Sequence, residues 1–370
     1  MAYNNDMQKL QICLVSISLG KGGAERSTAL LSTMLTQVGF DVTIVILNNR
    51  IDYPYSGELF NLGLFKKEPD NSIARLLRFR KLRKFIKSKR FDLIIDNRTK
   101  PLWKKEKFYL NYLYSDQKLI YVVRSFKREN YLSDKNSMTL EMIRRTEQII
   151  TVSEESAASL NKEYNTNTFY PIHNPIEELL IKRPKNWDIS QPYILFLGRM
   201  DAYVKNLPLL LDSYYHSKLP SLGVPLLLLG EGSGEEFIAN RAKELGIEDM
   251  IIQHPYTANV GWYLKNAEFL VLSSRYEGFP RVLIEALSVG TPVVSVDCSS
   301  GPKEIVQHGI NGLLVPNHDI SKLSTAITRM YMDKTLYNNC KTNAKNSVNH
   351  LHMNVIAERW KNVILKIVNK

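Results

Sequence analysis

Residues 269–296 have the sequence FLVLSSRYEGFPRVLIEALSVGTPVVSV, and this stretch decides the fold class. Its two ends, Phe269–Leu272 and Val293–Val296, are apolar runs too short for ordinary helices and without polar alternation, as is typical of strands buried on both faces. Helical spacing over Val282–Val289 separates them, after a turn that contains a glycine and a proline. A strand, a helix and a second strand in this order predict a right-handed parallel crossover.

The same alternation extends in both directions along the chain. The other predicted strands are Ile12–Ile17, Val42–Leu47, Leu93–Ile95, Leu119–Val123, Ile149–Val152, Tyr193–Leu197, Leu226–Leu229, Met250–Ile252 and Leu313–Val315. Helical spacing occurs between them, for example over Ala24–Val38 and Glu235–Leu245. The pattern predicts an α/β fold of two similar-sized, doubly wound domains.

A polar segment over residues 177–191 is the best boundary between the domains. It predicts a first domain over residues 1–184 and a second over 185–350. Two such domains would leave a cleft between the carboxyl ends of their sheets, which is the edge where open α/β sheets bind ligands.

Composition narrows the class of protein. Hydrophobic residues make up 44% and charged residues 23% of the chain, as in globular proteins. Cys13, Cys298 and Cys340 lie far apart, which argues against a disulfide framework or a zinc ribbon and favours a reducing compartment. No apolar run reaches the roughly 18 residues that a membrane span needs, so we expect a cytoplasmic protein.

The net charge of +12 is unevenly distributed. Residues 1–184 contain 30 Lys and Arg against 20 Asp and Glu, whereas residues 185–370 contain 19 against 17. Nine basic residues lie between Arg75 and Arg90, interleaved with apolar ones, and predict a basic amphipathic helix over 73–90. Its cations could form a solvated face, bind nucleic acid or contact an anionic membrane. No nucleic-acid recognition motif supports the second reading, and we expect membrane contact through Arg78, Lys81, Lys84 and Lys87.

Three segments that follow predicted strands could bind an anion. Gly20–Arg26 opens the first helix, where glycines allow an anion to approach free amides, although a plain tight turn explains it equally well. Gly198-Arg199 and Lys205-Asn206 place two cations beyond a strand end, either as a diphosphate clamp or as a solvated loop.

The third segment, Glu277–Glu285, is the most specific. Its Gly-Phe-Pro turn leads into a helix that starts near Arg281, so that the first amides of the helix face a ligand. Glu277 precedes the helix and Glu285 lies one turn inside it, so the two carboxylates can contact different parts of one extended ligand. Carboxylates accept two hydrogen bonds at once and therefore suit sugar and ribose hydroxyls.

These motifs resemble those of the retaining glycosyltransferases of family 4, which have the GT-B fold of two Rossmann-like domains facing across a deep cleft. The segment Glu277–Glu285 is similar to the E-x7-E motif of that family, and Gly22–Arg26 to its N-terminal acceptor-side loop. Ile172–Ile176 resembles the run before its interdomain linker. Residues 297–305 and 309–316 resemble its C-terminal signature. The resemblance covers nearly the whole chain and implies a last helix, over 351–370, that returns toward the first domain.

The resemblance implies a role for each matching residue. Arg199 and Lys205 would neutralise the diphosphate as the glycosidic bond breaks, and Glu277 would hold the donor sugar. Glu285 would bind the ribose hydroxyls. The other donor-binding positions would be Gly198, Phe279, Pro280, Arg281 and Val282. Backbone amides around the turn from Phe279 to Val282 would cradle the phosphates. Gly22 and Gly23 would let the leaving phosphate and the acceptor approach.

The chain departs from the family at one position. Many relatives have a histidine just after the strand that corresponds to Leu119–Val123, whereas this sequence continues Arg124-Ser125-Phe126. We expect Arg124 to take the place of that histidine.

The resemblance implies a peripheral-membrane enzyme on the inner face of the cell membrane. It would move a hexose or N-acetylhexosamine, with retention, from a nucleotide-diphosphate sugar, expected to be UDP-linked. The expected acceptor is a lipid-linked saccharide of surface polysaccharide or glycan assembly. No metal, other cofactor or nucleic acid is expected. Two alternatives stay open, namely a GT-B glycosyltransferase with a soluble acceptor and a non-catalytic binding protein with a basic surface.

Overall fold

The computed structural model describes residues 9–20, 22–66, 70–100, 102–185 and 189–369. The chain divides into two compact units, each an α/β domain with its own parallel sheet. Unit 1 comprises Met1–Asn174 and Met353–Lys370, and unit 2 comprises Pro175–His352.

Unit 1 alternates strands and helices along most of its length. Its strands are β1 (Gln11–Ser16), β2 (Asp41–Ile46), β3 (Glu58–Asn61), β4 (Leu93–Asp96), β5 (Leu119–Val123), β6 (Gln148–Thr151) and β7 (Phe169–Pro171). Its first helices are α1 (Gly23–Gln37), α2 (Ser72–Lys89), α3 (Trp103–Phe108), α4 (Asn136–Arg145) and α5 (Glu154–Tyr164). A π-helical turn, Tyr109–Leu113, extends α3.

The seven strands of unit 1 form one parallel sheet in the order β3-β2-β1-β4-β5-β6-β7. The central strands β1, β4 and β5 are buried almost throughout, as expected for a sheet covered on both faces. Side chains cap two of the helices: Asn71 accepts from the amide of Ala74 at the start of α2, and Ser153 accepts from that of Ser156 at the start of α5.

Unit 2 repeats the alternation. Its strands are β8 (Ile194–Leu197), β9 (Leu226–Leu229), β10 (Ile251–His254), β11 (Leu270–Leu272), β12 (Val293–Asp297) and β13 (Gly312–Pro316). Its helices are α6 (Leu207–His216), α7 (Glu235–Leu245), α8 (Val260–Asn266), α9 (Arg281–Ser288), α10 (Pro302–Ile305), α11 (Ile320–Met332) and α12 (Lys334–Ser347). The parallel strand order is β10-β9-β8-β11-β12-β13.

The predicted strands are all present, with ends that differ by at most two residues from the prediction. The sequence analysis missed β3 and β7, the two edge strands of unit 1. Both are short, and their side chains are mostly exposed or half-buried, so they lack the apolar run that identifies a central strand.

The boundary between the units lies at Asn174–Pro175 and not after residue 184, where we had predicted it. The physical reason is a backbone pairing between the two segments in which the chain passes from one unit to the other. Ile176 bridges His352, and its amide donates to the Leu351 carbonyl at 2.8 Å, so the chain already belongs to unit 2 at this point. Residues 186–188 of the predicted linker lie outside the described residues.

The last helix, α13 (Met353–Val368), belongs to unit 1 although it follows unit 2 in sequence. It packs against α1, and Lys118 Nζ donates to the Ile367 and Val368 carbonyls at 2.8 and 3.1 Å. Among the described residues, no helix is both long enough and apolar enough to span a membrane.

Candidate active site

In both sheets, the order in which the strands are added reverses between the first and the fourth strand along the chain. The sheet order places β1 beside β4 in unit 1 and β8 beside β11 in unit 2, and the two neighbours lead to opposite sides of the sheet. The crevice at the carboxyl ends of such a strand pair is the usual ligand site of doubly wound sheets. The predicted site residues follow these strands and their neighbours in both units.

In unit 2, the centre of the site is an ion pair between Lys205 and Glu277. Lys205 Nζ lies 2.7 Å from Glu277 Oε1, and both side chains are mostly buried. Ser274 Oγ donates to the same carboxylate oxygen at 2.7 Å. The Lys205 ammonium also lies beside the backbone of Gly198, which directly follows β8. The structure therefore brings together three predicted residues and adds Ser274, which the sequence analysis missed.

Hydrogen bonds join the turn after β11 to the loop after β12. The amide of Glu277 donates to the Ser299 carbonyl at 2.7 Å, and Ser300 Oγ donates to the Gly278 carbonyl at 2.8 Å. Phe279 is buried in this turn. These bonds fix the turn that leads into α9.

Helix α9 begins at Arg281, and Pro280 occupies its N-cap position without a side-chain acceptor for the first amides. Val282 is therefore in the first turn, where backbone N–H groups lack partners within the helix. The N-terminus of an α-helix with this geometry favours an anion. The turn and helix start predicted from the sequence are present at this position.

Arg281 lies between two carboxylates. Its Nη2 pairs with Glu177 Oε1, and its Nε lies 3.8 Å from Glu285 Oε1. Glu285 is only 4% exposed and sits one turn inside α9, as the motif predicts. In the sequence, Glu177 belongs to the polar segment that predicts the linker, and no motif indicates a role for it.

Arg199 differs from Lys205 in its surroundings. Its side chain is 69% exposed and pairs with Asp201, with Nη2 3.1 Å from Oδ2. The structure therefore places Arg199 in the predicted loop, with a side chain that is exposed to solvent and paired with Asp201.

In unit 1, Gly22 and Gly23 form the start of α1, where Gly22 is the N-cap residue. A Cβ on Gly23 would meet nothing within 4 Å, so open space adjoins this helix terminus. Glu25 lies in the first turn of α1. Lys21, in the middle of the predicted glycine motif, lies outside the described residues.

Arg124 follows β5 and is held by two neutral oxygens. Its Nη2 donates to Asn97 Oδ1 at 2.8 Å and its Nη1 to Asn174 Oδ1 at 3.2 Å. Burial raises the pKa of Tyr131, and the charge of Glu25 adds to this shift while that of Arg124 opposes it. Arg124 and Glu25 therefore both lie within electrostatic range of Tyr131.

A buried cluster of charged side chains is centred on Arg98, the residue after Asn97, and was not predicted from the sequence. Arg98 Nη2 contacts Asp96 Oδ2 at 2.7 Å and Glu106 Oε2 at 3.0 Å, and all three side chains are inaccessible to solvent or nearly so. Lys100 Nζ donates to the Arg98 carbonyl at 2.6 Å. Burial would raise the pKa of Asp96, but the charges of Arg98 and Lys100 hold it below its usual value. Burial lowers the pKa of Lys100 to about 8 against the influence of Asp96.

This cluster fixes the loop that carries Asn97. Buried charges must be paired, and removal of one partner leaves the others uncompensated, so the loop has little freedom to move. Its sequence signal was the run Asp96-Asn97-Arg98 directly after a buried strand. In the ranges that the structure describes, no group of three or more His, Cys, Asp or Glu side chains is arranged to hold a metal ion.

Family models match the two halves of the chain. Residues 21–178 match the model described as Glycosyltransferase Family 4, and residues 178–347 match the model described as Glycosyl transferases group 1. The two matches adjoin and together cover all the site residues described above.

Two relatives of this chain match along almost their whole length. A 4-alpha-N-acetylgalactosaminyltransferase of Campylobacter jejuni, whose name includes a diphospho-undecaprenol acceptor, is 27% identical over 92% of this chain and 95% of its own. The amylovoran biosynthesis glycosyltransferase AmsD of Erwinia amylovora is 22% identical over 97% of this chain and all of its own.

Solved structures share the fold. TarM has a TM-score of 0.77 at 14% identity, covering 97% of this chain and 99% of that one. Anabaena HepE in complex with UDP has a TM-score of 0.75 at 18% identity, covering 96% and 100%. Two adjoining family matches, relatives of the same length and this shared architecture lead to one conclusion: the chain belongs to the group 1 glycosyltransferases and has the GT-B fold.

Proposed function

We propose that the chain is a retaining glycosyltransferase that transfers a hexose or N-acetylhexosamine from a UDP-sugar. The Lys205–Glu277 pair beside the N-terminus of α9 carries this proposal. It presents a cation, a carboxylate and a helix terminus at one strand end of unit 2, and these groups suit a diphosphate joined to a sugar.

The proposed chemistry follows from where charge develops. When the bond between sugar and diphosphate breaks, the leaving phosphate gains negative charge, and a preorganised cation lowers the barrier. Lys205 would stabilise that charge together with Arg199 and the amides that begin α9. Glu277, held by Ser274, would accept hydrogen bonds from the sugar hydroxyls, and Glu285 from the ribose. This assignment requires no metal ion.

We propose UDP as the nucleotide and a lipid-linked saccharide as the acceptor. The first is supported by the UDP-bound structure of HepE, and the second by the diphospho-undecaprenol in the name of the Campylobacter jejuni relative. The acceptor would bind unit 1, near Gly22, Gly23 and Arg124. With a lipid-linked acceptor, the enzyme would work at the inner face of the cell membrane, and the basic excess in residues 1–184 supports contact with an anionic surface.

The donor is tested by a thermal-shift panel of UDP- and GDP-sugars, because a ligand that binds the native state raises its melting temperature. We expect UDP and one or more UDP-sugars to stabilise the protein with EDTA present. Stabilisation by GDP-sugars alone would overturn the choice of nucleotide. A requirement for a divalent cation would overturn the metal-free assignment.

The reaction is tested with the donor found in this panel. We expect slow hydrolysis of the donor, or transfer to a diphosphopolyprenyl saccharide, and NMR should show the anomeric configuration of the donor in the product. Inverted configuration would overturn the retaining mechanism. Donor binding without any hydrolysis or transfer would favour a non-catalytic binding protein.

A further inference from the structure

Helix α2 carries two separate sets of apolar residues. Leu82 and Ile86 are each 1% exposed in the core of unit 1, and Phe85 stacks on Phe60 with 4.0 Å between ring centroids. This set anchors the helix to the sheet.

The second set points away from the core in the first two turns. Ile73, Leu76 and Leu77 are 71%, 41% and 57% exposed. Three large aliphatic side chains this exposed on adjacent positions of one helix face are costly in water and mark an interaction surface.

Basic residues occupy the same face of α2 toward the C-terminal end of the helix. Ile73, Leu76, Arg80, Lys84 and Lys87 follow one another at spacings of three or four, and Leu77 lies four residues after Ile73 and three before Arg80. This spacing places all six in one stripe. We call this set the outer stripe. Arg80, Arg83, Lys84, Lys87, Ser88 and Tyr112 line a shallow, open depression, and the Arg83 guanidinium lies over the Tyr112 ring at 4.4 Å.

Two of the four cations predicted to contact a membrane do not belong to this stripe. Arg78 is largely buried and bonds Asp70 at 2.8 Å, where Arg75 also binds at 3.2 Å. Lys81 Nζ lies 3.3 Å from the centre of the Phe65 ring. Charge alone suggested these positions, whereas the Arg78 side chain is largely buried against Asp70 and Lys81, although exposed, lies over Phe65.

We propose that the outer stripe docks unit 1 on an anionic phospholipid leaflet, with Ile73, Leu76 and Leu77 inserted at the acyl boundary and the cations at the headgroups. The proposal rests on the lipid-linked acceptor proposed above and names the surface that would bring the enzyme to it. Residues 71–90 contain no Asp or Glu, so nothing on the helix itself opposes an anionic partner. An interfacial helix combines apolar insertion with charge attraction, which is the chemistry of this stripe.

The apolar half distinguishes a membrane from other anionic partners. A nucleic acid or a free phosphate would use the cations and leave the three aliphatic side chains in water. A bilayer covers both, and it can do so because both lie on one line along the helix.

The experiment is sedimentation of the full-length protein with phosphatidylcholine vesicles that do or do not contain phosphatidylglycerol. Wild type should bind the anionic vesicles, and raising the salt to about 1 M, where screening acts within about 3 Å, should weaken binding without abolishing it. Arg80→Gln with Lys84→Gln should lower the affinity at least about 10-fold at low salt, because two attractive charges are lost. Ile73→Gln, Leu76→Gln and Leu77→Gln together should remove the salt-resistant part.

Matched controls separate the stripe from its surroundings. Arg75→Gln with Arg78→Gln removes the same charge from the same helix but off the stripe, and Arg75→Gln alone preserves the Arg78 contact if the double variant unfolds. Leu222→Gln, Ile310→Gln and Met332→Gln change equally exposed side chains in unit 2. We expect near-wild-type vesicle binding from these controls.

The outcomes that overturn the proposal are specific. Wild-type protein that ignores anionic vesicles, or stripe variants that bind like the controls, would do so. A change of the apolar variant from dimer to monomer in solution would instead identify the stripe as an interface between copies. Stabilisation by UDP is read in the same samples, so the failure of docking is distinguishable from the failure of the proposed transferase function.

Discussion

Lys205 and Glu277 restrict each other within the site of unit 2. Their contact of 2.7 Å and the second bond from Ser274 hold the carboxylate in one orientation. An ammonium that is already in position needs little reorganisation when a phosphate gains charge, and such groups contribute more to the transition state than to ground-state binding.

Lys205→Ala should therefore lower kcat by about 10²–10³-fold with a smaller effect on UDP affinity. Arg199→Ala should also lower kcat, but less, because its side chain is 69% exposed and solvated. Steady-state kinetics with the identified donor, beside calorimetric UDP binding, separates the two effects. Lys243→Ala, at an exposed position of α7, is the control. Near-normal kcat in both site variants would place the diphosphate elsewhere.

Glu285 is the residue that should report on the ribose. Glu285→Ala should weaken UDP binding by about 1.5–3 kcal/mol, the typical value of a hydrogen bond to a charged group. Glu285→Gln, which retains an acceptor oxygen, should lose less. Calorimetry with UDP measures both, and Glu236→Ala on the exposed face of α7 is the control. Unchanged affinity in Glu285→Ala would refute the ribose assignment.

At this scale the sequence predicted the motif residues but not their partners. Spacing identified Glu277 and Glu285, because a turn and a helix start determine where they lie. Asn97 and Glu177 act through contacts with residues distant in sequence, which spacing does not reveal. Ser274 bonds Glu277 three residues later, but it lies outside the motif that identified Glu277. Arg78 shows a different error. Its positive charge predicted a position at the membrane surface, but its side chain is largely buried and bonded to Asp70.

In unit 2, the turn after β11 and the loop after β12 together position the site. Gly301, in the loop after β12, has a φ of 98°, which favours glycine. A Cβ there would lie 2.9 Å from Pro280 Cδ and 3.0 Å from Phe279 Cα. The backbone of this loop therefore approaches the turn before α9 as closely as a glycine permits.

Gly301→Ala should displace that turn and weaken both UDP binding and turnover. Gly309→Ala is a matched control, because its φ is 78° but a Cβ there would meet nothing within 4 Å. Left-handed backbone strain should cost both variants about 1–2 kcal/mol of unfolding free energy. The close contact with Phe279 and Pro280 should add to this loss in Gly301→Ala. Only Gly301→Ala should lose UDP affinity, measured by calorimetry. Equal affinity in the two variants would show that the close contact does not shape the site.

Sequence patterns predicted buried elements better than exposed ones. Central strands such as β8 and β9 are continuous apolar runs and were assigned from sequence alone. Helix α2 was predicted within a residue at each end, but not which apolar residues face the core, because its cations surround it on most sides. Its orientation depends on the aromatic side chains that it meets in unit 1.

For the whole molecule, the chain path is the feature that short-range patterns describe least. Unit 2 is one continuous segment, whereas unit 1 needs residues from both ends of the described chain. Helix α13 buries its apolar side against unit 1 through Ile356, Ala357, Trp360, Ile364 and Ile367. Its role depends on contacts with α1, more than 300 residues earlier in the sequence.

Deletion of residues 353–370 should therefore destabilise unit 1 and spare unit 2. Each large apolar side chain that α13 buries contributes about 1.5–3 kcal/mol, so the loss of several exceeds what a domain can bear. In differential scanning calorimetry we expect unit 1 to unfold early, while UDP still raises the remaining transition of unit 2. Trp360→Ala should give a milder version, with a loss of about 3–5 kcal/mol. Val355→Ala, at a position 37% exposed on the same helix, should change little. Loss of UDP stabilisation together with unit 1 would show that the nucleotide site needs more of the molecule than unit 2.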